Sequence, residues 1–356
     1  MLITALSLVA PLAGLSGPSD TLADRLDFYG DMRVRAEGNF ADGNGPDRHR
    51  GRLRFRLGAK LGVSEHLSAE VRVISTSGDA NNPHWDMGSG DDGFNGSDMA
   101  FDRLNLSWSC EDVYTAKVGR FGHGFASNPV YGELLWDGDV QPAGLSYKYS
   151  PKGLGLDLRL AGYVVDEFKN GADANMTGAQ ANWNGDLAGV GLQLSSALYS
   201  WSSMNGAAGW DDSSPQGSDM GARFRIWDSI LAATVAEGEN GKAVISGQYI
   251  QNTNGDEGED TAWAVGAKYG TSKKTGAWNV FATLYDMEAN AVFGPVAQDD
   301  TPVSGTGNGD GMEGVIAGVN YWPSDDLNLR VWALTSEFDD ATQDRSRLRI
   351  DLNLGF

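Results

Sequence analysis

The sequence predicts an all-β fold: a transmembrane antiparallel β-barrel of about sixteen strands with an inward-folded third loop. Three observations carry that reading. The last eleven residues place Leu348, Ile350, Leu352, Leu354 and Phe356 on one side of an extended strand, and Arg347, Arg349, Asp351, Asn353 and Gly355 on the other, because side chains in a strand alternate with period two. The same alternation recurs along the chain, separated in turn by tight turns and long polar loops, which is the rhythm of a membrane barrel. Glycine is abundant, at 48 of 356 residues, and no window reaches the ~20 unbroken apolar residues of a membrane helix. A negative mean hydropathy fits a soluble protein and a barrel equally, since a barrel hides its lipid-facing residues in alternation.

Taken in order, residues 1–17 hold an apolar run broken by small residues, with the length of a secretory core segment but without its usual basic start. They are read as a signal peptide or its remnant, and 18–25 as a short linker. The remaining 26–356 form one barrel. Leu26, Phe28, Met32 and Val34 alternate with Asp27, Tyr29, Asp31, Arg33 and Arg35 in the first strand, and Leu53, Phe55, Leu57 and Leu61 with Arg52, Arg54, Arg56 and Lys60 in the second. A third strand sets Val71 and Val73 against Glu70 and Arg72. Beyond it, tight turns are expected near Ser109–Asp112, Pro151–Gly153, Asn184–Asp186, Glu239–Gly241, Thr271–Gly276 and Ser324–Asp326. Long loops are expected near Gly122–Pro142, Glu167–Asn175, Ser202–Ser218, Thr253–Asp260, Ala289–Gly311 and Asp339–Arg345.

A soluble β-sandwich would alternate too, with the leucines buried and the arginines in water. Strands of roughly ten residues are long beside the usual five or six. Aromatics such as Trp108, Tyr114, Tyr147, Trp263, Trp278 and Tyr321 fall near strand ends, where interfacial girdles belong. Sixteen strands would also leave a sandwich with edges that closure removes.

If leucines face lipid, the opposite row faces the lumen, and its basic residues concentrate on strands that closure makes consecutive. Arg330, Arg347, Arg349, Arg33, Arg35, Arg52, Arg54, Arg56, Arg72 and Arg103 then form a pore-lining basic arc. Like charges about 5 Å apart repel by roughly 3 kcal/mol at an effective dielectric of 20, so the arc requires water, anionic partners or both. The loop 122–142 is richer in apolar and aromatic residues than the others (Phe125, Val130, Tyr131, Leu134, Leu135, Trp136). Folding inward would bury them and carry Glu133, Asp137 and Asp139 toward the arginines, setting a transverse field across a narrowed pore.

The stretch Leu135-Trp-Asp-Gly-Asp-Val-Gln-Pro-Ala-Gly resembles the hallmark segment of a family of Gram-negative outer-membrane proteins, the putative porins. Tyr249-Ile-Gln-Asn, Ala262-Trp-Ala-Val-Gly-Ala-Lys-Tyr-Gly and the terminal Asp351-Leu-Asn-Leu-Gly-Phe add to the likeness, which runs from about Lys117 to the end. Gln141 stands where the family pattern often has Asn. The resemblance implies an outer-membrane porin passing small hydrophilic solutes and ions, without a cofactor and generally as a homotrimer. A last strand closing on Phe356 also resembles the signal read by the barrel-assembly machinery.

Other chemistry is weakly supported. A net charge of −21 disfavours nucleic acid on phosphate repulsion. No catalytic constellation or zinc spacing emerges; His49, His66, His84 and His123 are read as exposed loop residues. Acidic loops (Asp79, Asp86, Asp91, Asp92 and Asp98; Asp256, Glu257, Glu259 and Asp260; Asp299, Asp300 and Asp310) are candidates for calcium bridging to lipopolysaccharide, with solvation as the plainer alternative. The expected function is passive diffusion through the outer membrane of a Gram-negative bacterium; the alternative is a plugged barrel acting as adhesin or anchor.

Overall fold

The computed structural model describes residues 21–41, 46–76, 82–88, 96, 98–167, 173–202, 224–254, 260–288, 290–300, 311–338 and 344–356. The leader assigned to 1–17 lies outside them. Sixteen long strands form the wall: β1 (Leu26–Ala41), β2 (Arg48–Gly62), β3 (Leu67–Thr76), β5 (Asp98–Cys110), β6 (Tyr114–Arg120), β7 (Ala143–Tyr149), β8 (Leu156–Asp166), β9 (Ala174–Leu187), β10 (Val190–Ser202), β11 (Arg225–Gly238), β12 (Gly241–Asn252), β13 (Thr261–Gly270), β14 (Trp278–Met287), β15 (Met312–Ser324), β16 (Leu327–Phe338) and β17 (Arg345–Gly355). A two-residue strand, β4 (Trp85–Asp86), pairs with β2. Each wall strand pairs antiparallel with its chain neighbours, and β1 pairs with β17, so the sheet closes.

Burial is inside out relative to a soluble protein. On β17 the apolar residues Leu348, Ile350 and Leu352 are 42–44% exposed, whereas Arg349 and Asp351 are 0% exposed. A closed wall with a mainly apolar exterior satisfies its backbone groups between strands and presents little polar surface outward, as a bilayer demands. Trp227, Tyr249 and Trp263 face out near the loop end of their strands, and Tyr114, Tyr147, Tyr269, Trp278 and Tyr321 near the turn end.

The seam is tight. Gly30 N–H donates to Phe356 O at 2.8 Å and Phe356 N–H to Gly30 O at 3.1 Å. A Cβ on Gly30 would lie 2.5 Å from the Phe356 ring, so that ring lies over the glycine, and it stacks on Phe55 at 6.5 Å.

Two expected boundaries move. The first strand runs on to Ala41 and the second begins at Arg48, both beyond the alternating rows read from the sequence. The turn expected at Asn184–Asp186 lies instead at Ala188 and Gly189, with φ of 55° and 84°. Two residues at positive φ match the twist of a hairpin. Gly185 is a strand residue beneath the Trp183 ring, where a Cβ would meet that ring at 2.1 Å.

Candidate functional site

Register, rather than loop placement alone, supplies the counter-charges of the basic arc. Opposition of strands sets Asp31 across from Arg56, and Glu37 between Arg50 and Arg349. Arg56 Nε donates to Asp31 at 2.7 Å, and Arg349 Nε to Glu37 at 2.6 Å. Arg50 also binds Glu37. Arg35 grips Asp351 through Nε at 2.6 Å and Nη2 at 3.1 Å, a paired geometry that fixes the fork as well as its charge. Arg72 holds Asp102 at 2.5 Å, and Arg103 reaches Glu70 at 3.2 Å. Arg52 donates to Asp86 at 2.8 Å. Arg347 donates to Asn39 at 2.6 Å and to the carbonyl of Asp300 at 2.6 Å. The in-strand carboxylates Asp31, Glu37 and Asp351 were not among the expected site residues. They were visible in the arginine row, but only pairing across strands makes them partners.

The loop 121–142 crosses the lumen. Phe121, Phe125, Tyr131, Leu134, Leu135, Trp136 and Val140 are all buried inside the barrel, against β8 to β14. Phe125 meets Tyr199 edge-on at 4.7 Å and Trp136 stacks near Trp201 at 6.1 Å. Polar ties fix the loop backbone: Gln180 pairs with Ala126 N–H at 2.6 Å, Arg159 donates to Gly124 O at 2.8 Å, and Ser246 donates to Asn128 Oδ1 at 2.7 Å. Gln141, the departure from the family pattern, accepts from Arg103 Nε at 2.8 Å.

From its other face the loop extends acids toward the arginines, unequally. Asp139 accepts from Arg54 at 2.6 and 2.7 Å and from Arg56 at 3.0 Å. Asp137 instead caps its own loop, accepting from Asp139 N–H at 2.7 Å. Glu133 hydrogen-bonds the carboxyl of Asp300.

Asp300 belongs to a second inward segment, residues 290–300, in which Ala291, Val292, Phe293 and Ala297 are fully buried. Val296 O accepts from Asp137 N–H at 2.8 Å and Asp300 accepts from Tyr131 Oη at 3.0 Å, so the two loops are joined. Asp300 also binds Arg349. Three expectations are thereby corrected. Asp86, Asp299 and Asp300 are not solvated loop acids: Asp86 pairs with Arg52 and Asp300 with Arg349, while Asp299 presents its backbone carbonyl to Arg347 at 3.0 Å. His84 is 3% exposed, beside Arg33. His123 stacks on Trp136 at 5.4 Å rather than facing water. Apolar loop content was the available signal: Ala-Val-Phe-Gly-Pro-Val-Ala over 291–297 is as apolar as the third loop. Among the described residues no cluster of three or more His, Cys, Asp or Glu could hold a metal ion; Asp79, Asp91, Asp92, Asp256, Glu257, Glu259 and Asp310 lie outside them.

Wall and loops bound a polar cavity of about 160 Å³, lined by Arg33, Arg54, Arg330, Glu133, Asp137 and Asp300 among others. Burial and the adjacent Asp300 push Glu133 up to about 8. Asp300 is held low, because Arg349 and Arg35 outweigh the burial that opposes its ionisation. Two hydrogen-bonded carboxyls cannot both ionise, so the shared proton resides on Glu133. Burial, then Glu133 and Asp139, likewise raises Asp137. His84 is pushed down by burial and then by Arg35 and Arg33; as the neutral ring, its Nε2 can accept from Arg33 Nη1 at 3.4 Å.

Comparison with solved structures finds the same architecture at low identity. OprB of Pseudomonas putida, in its high-pH structure, has 14% identity and a TM-score of 0.66 over 94% of this chain and 95% of its own. A mutant of the Rhodopseudomonas blastica porin has 13% identity and a TM-score of 0.55, over 93% of this chain and 100% of its own. Salmonella typhi OmpF, in complex with daunomycin, has 12% identity and a TM-score of 0.56, over 93% and 97%. No curated protein matches. Residues 43–159 match a family described as putative porin; that span includes β2 to β7, the third loop and the Leu135–Gly144 motif, and reaches well before Lys117. Residues 43–159 are thus similar to the putative porin family, and the sixteen-stranded barrel around them has the fold of the solved porins.

Proposed function

We propose that the chain is an outer-membrane porin of a Gram-negative bacterium: a water-filled barrel through which small hydrophilic solutes and ions diffuse passively. The observation that carries this reading is the charged cavity inside a wall whose exterior is apolar, where Arg54 and Arg56 meet Asp139 of the third loop. Paired guanidinium and carboxylate groups are tolerable there because each charge meets its opposite, and they present donors and acceptors to a polar solute while offering a hydrocarbon one nothing. The family match and the fold point to a channel rather than an enzyme.

In this reading the arginines from Arg33 to Arg349 are the pore-lining wall and Glu133, Asp137 and Asp139 the constriction. Phe356 is the element read by the assembly machinery, lipid and lipopolysaccharide surround the wall, and the protein assembles as a homotrimer. Calcium at the outer acidic loops belongs to the same proposal. Liposome swelling tests the channel: vesicles holding the refolded protein should swell in arabinose, and more slowly in larger oligosaccharides. A second reading, a plugged barrel serving as anchor, is favoured by the two inward segments, 121–142 and 290–300, that occupy the lumen. Swelling no faster than in protein-free vesicles would select it.

A further inference from the structure

Not every arginine of the eyelet is matched. Arg54, Arg56, Arg35 and Arg349 each hold a carboxylate. Among the described residues Arg33 has none, since register sets it between Arg54 and Asn353; there its side chain bonds only Asn353 Oδ1, at 2.7 Å, and His84. Arg330 lies 3.7 Å over the Trp332 ring and 4.9 Å from Phe281, and its buried Nε has no hydrogen-bond partner among the described residues. Asp351, its opposite in register, is taken by Arg35 and by Trp332 Nε1 at 3.1 Å. Both cations line the same cavity.

The acids that could neutralise them are engaged elsewhere. Asp139 is shared by Arg54 and Arg56, and Asp300 by Arg349 and Tyr131. Glu133 and Asp300 share a hydrogen bond that needs a proton. We infer that the eyelet binds small monocarboxylate anions, gripped between Arg33 and Arg330. The inference rests on the porin reading and adds the solute class to it. Two guanidinium forks suit a planar two-oxygen anion, and about 160 Å³ is small beside the ~300–1,000 Å³ of pockets for larger ligands. The overall negative charge of the chain does not contradict this, because local fields in a narrow, low-dielectric passage decide which ion enters.

A pH dependence follows. Glu133 faces Arg330 of β16, Asp137, Asp139 and Tyr131 of its own loop, and Asp300 of the second inward loop, with Arg349 of β17 behind Asp300; Asp299 lines the same cavity. Raising the pH through about 8 adds a negative charge among these groups and weakens the hold on an anion.

The test is the reversal potential across a planar bilayer under a potassium chloride gradient, with lactate added as the probe. Near neutral pH, chloride should be preferred over potassium by on the order of tenfold, and lactate should reduce the chloride current. Both effects should decline above a pH of about 8. The double variant Arg33→Gln, Arg330→Gln should lose the preference and the lactate effect, and Glu133→Gln should make the preference independent of pH over that range. Heat-modifiable migration in gels confirms that each variant is folded. A conducting wild type that prefers potassium, lactate inhibition that survives in the double variant, or an unchanged pH dependence in Glu133→Gln overturns the inference alone. Absence of any conductance overturns the porin reading with it.

Discussion

The two halves of the lumen wall are built on opposite physics. From β16 through β17 and β1 to β2 the inner face is arginine against carboxylate, almost all of it buried: Arg349 and Asp351 are 0% exposed. From β8 to β14 the inner face is mainly aromatic and neutral-polar, Arg159 and Asp228 apart, with Tyr163 and Tyr199 packed against Phe125 of the third loop and Phe281 and Tyr285 in the same buried cluster. The loop has one face for each. Its apolar side chains fix it to the neutral half, as a soluble core would, and that anchorage holds its acids in reach of the charged half. The lesson is a division of labour: apolar packing sets position, and the charged wall sets what passes.

Removing the anchor should have the largest effect. Trp136→Ala or Phe125→Ala should each cost about 3–5 kcal/mol in urea-induced unfolding and raise conductance, because the freed loop no longer narrows the lumen. Their rings sit 5.6 Å apart, so the double variant should cost less than the sum. Equal conductance in a folded Trp136→Ala variant would show that aromatic packing does not hold the constriction.

On the charged half, Asp139→Asn leaves Arg54 and Arg56 with Asp31 alone between them. Breaking a largely buried ion pair from one side costs about 3 kcal/mol, and the same change should move the reversal potential toward anions. A shift toward cations would mean that the arginines do not govern entry.

Smaller effects are expected at the seam. Gly30→Val would place a Cβ 2.5 Å from Arg56 O and the Phe356 ring, a clash worth about 1–3 kcal/mol, with slower folding into vesicles as the readout. The smallest belongs to the outer surface. Lys152→Gln removes an ion pair to Glu111 that is about 70% exposed on both sides, and it should leave conductance and unfolding unchanged within error.

Much of this organisation is legible in the sequence because membrane strands carry their orientation in a period of two. The row Arg347, Arg349, Asp351 against Leu348, Ile350, Leu352 tells which side is lumen without any structure. The third loop is legible for a different reason: Phe125, Leu134 and Trp136 have no place in a solvated loop. Pairing is not legible. That Asp31 meets Arg56 while Arg33 meets Arg54 depends on register across β1 and β2, and a shift of one residue would exchange partners and faces. The burial of 290–300 is signalled by Val292 and Phe293, whereas Asp299 and Asp300 have the composition of a solvated loop. His84 offered no signal, since its burial depends on a short segment laid along β2.

Single-channel recording in a planar bilayer tests the central claim most directly. The account predicts discrete conductance steps, in groups of three if the barrel is trimeric, that enlarge in Trp136→Ala. A folded, heat-modifiable wild-type protein that never conducts, and begins to conduct only when residues 121–142 are deleted, would contradict it and establish a plugged barrel.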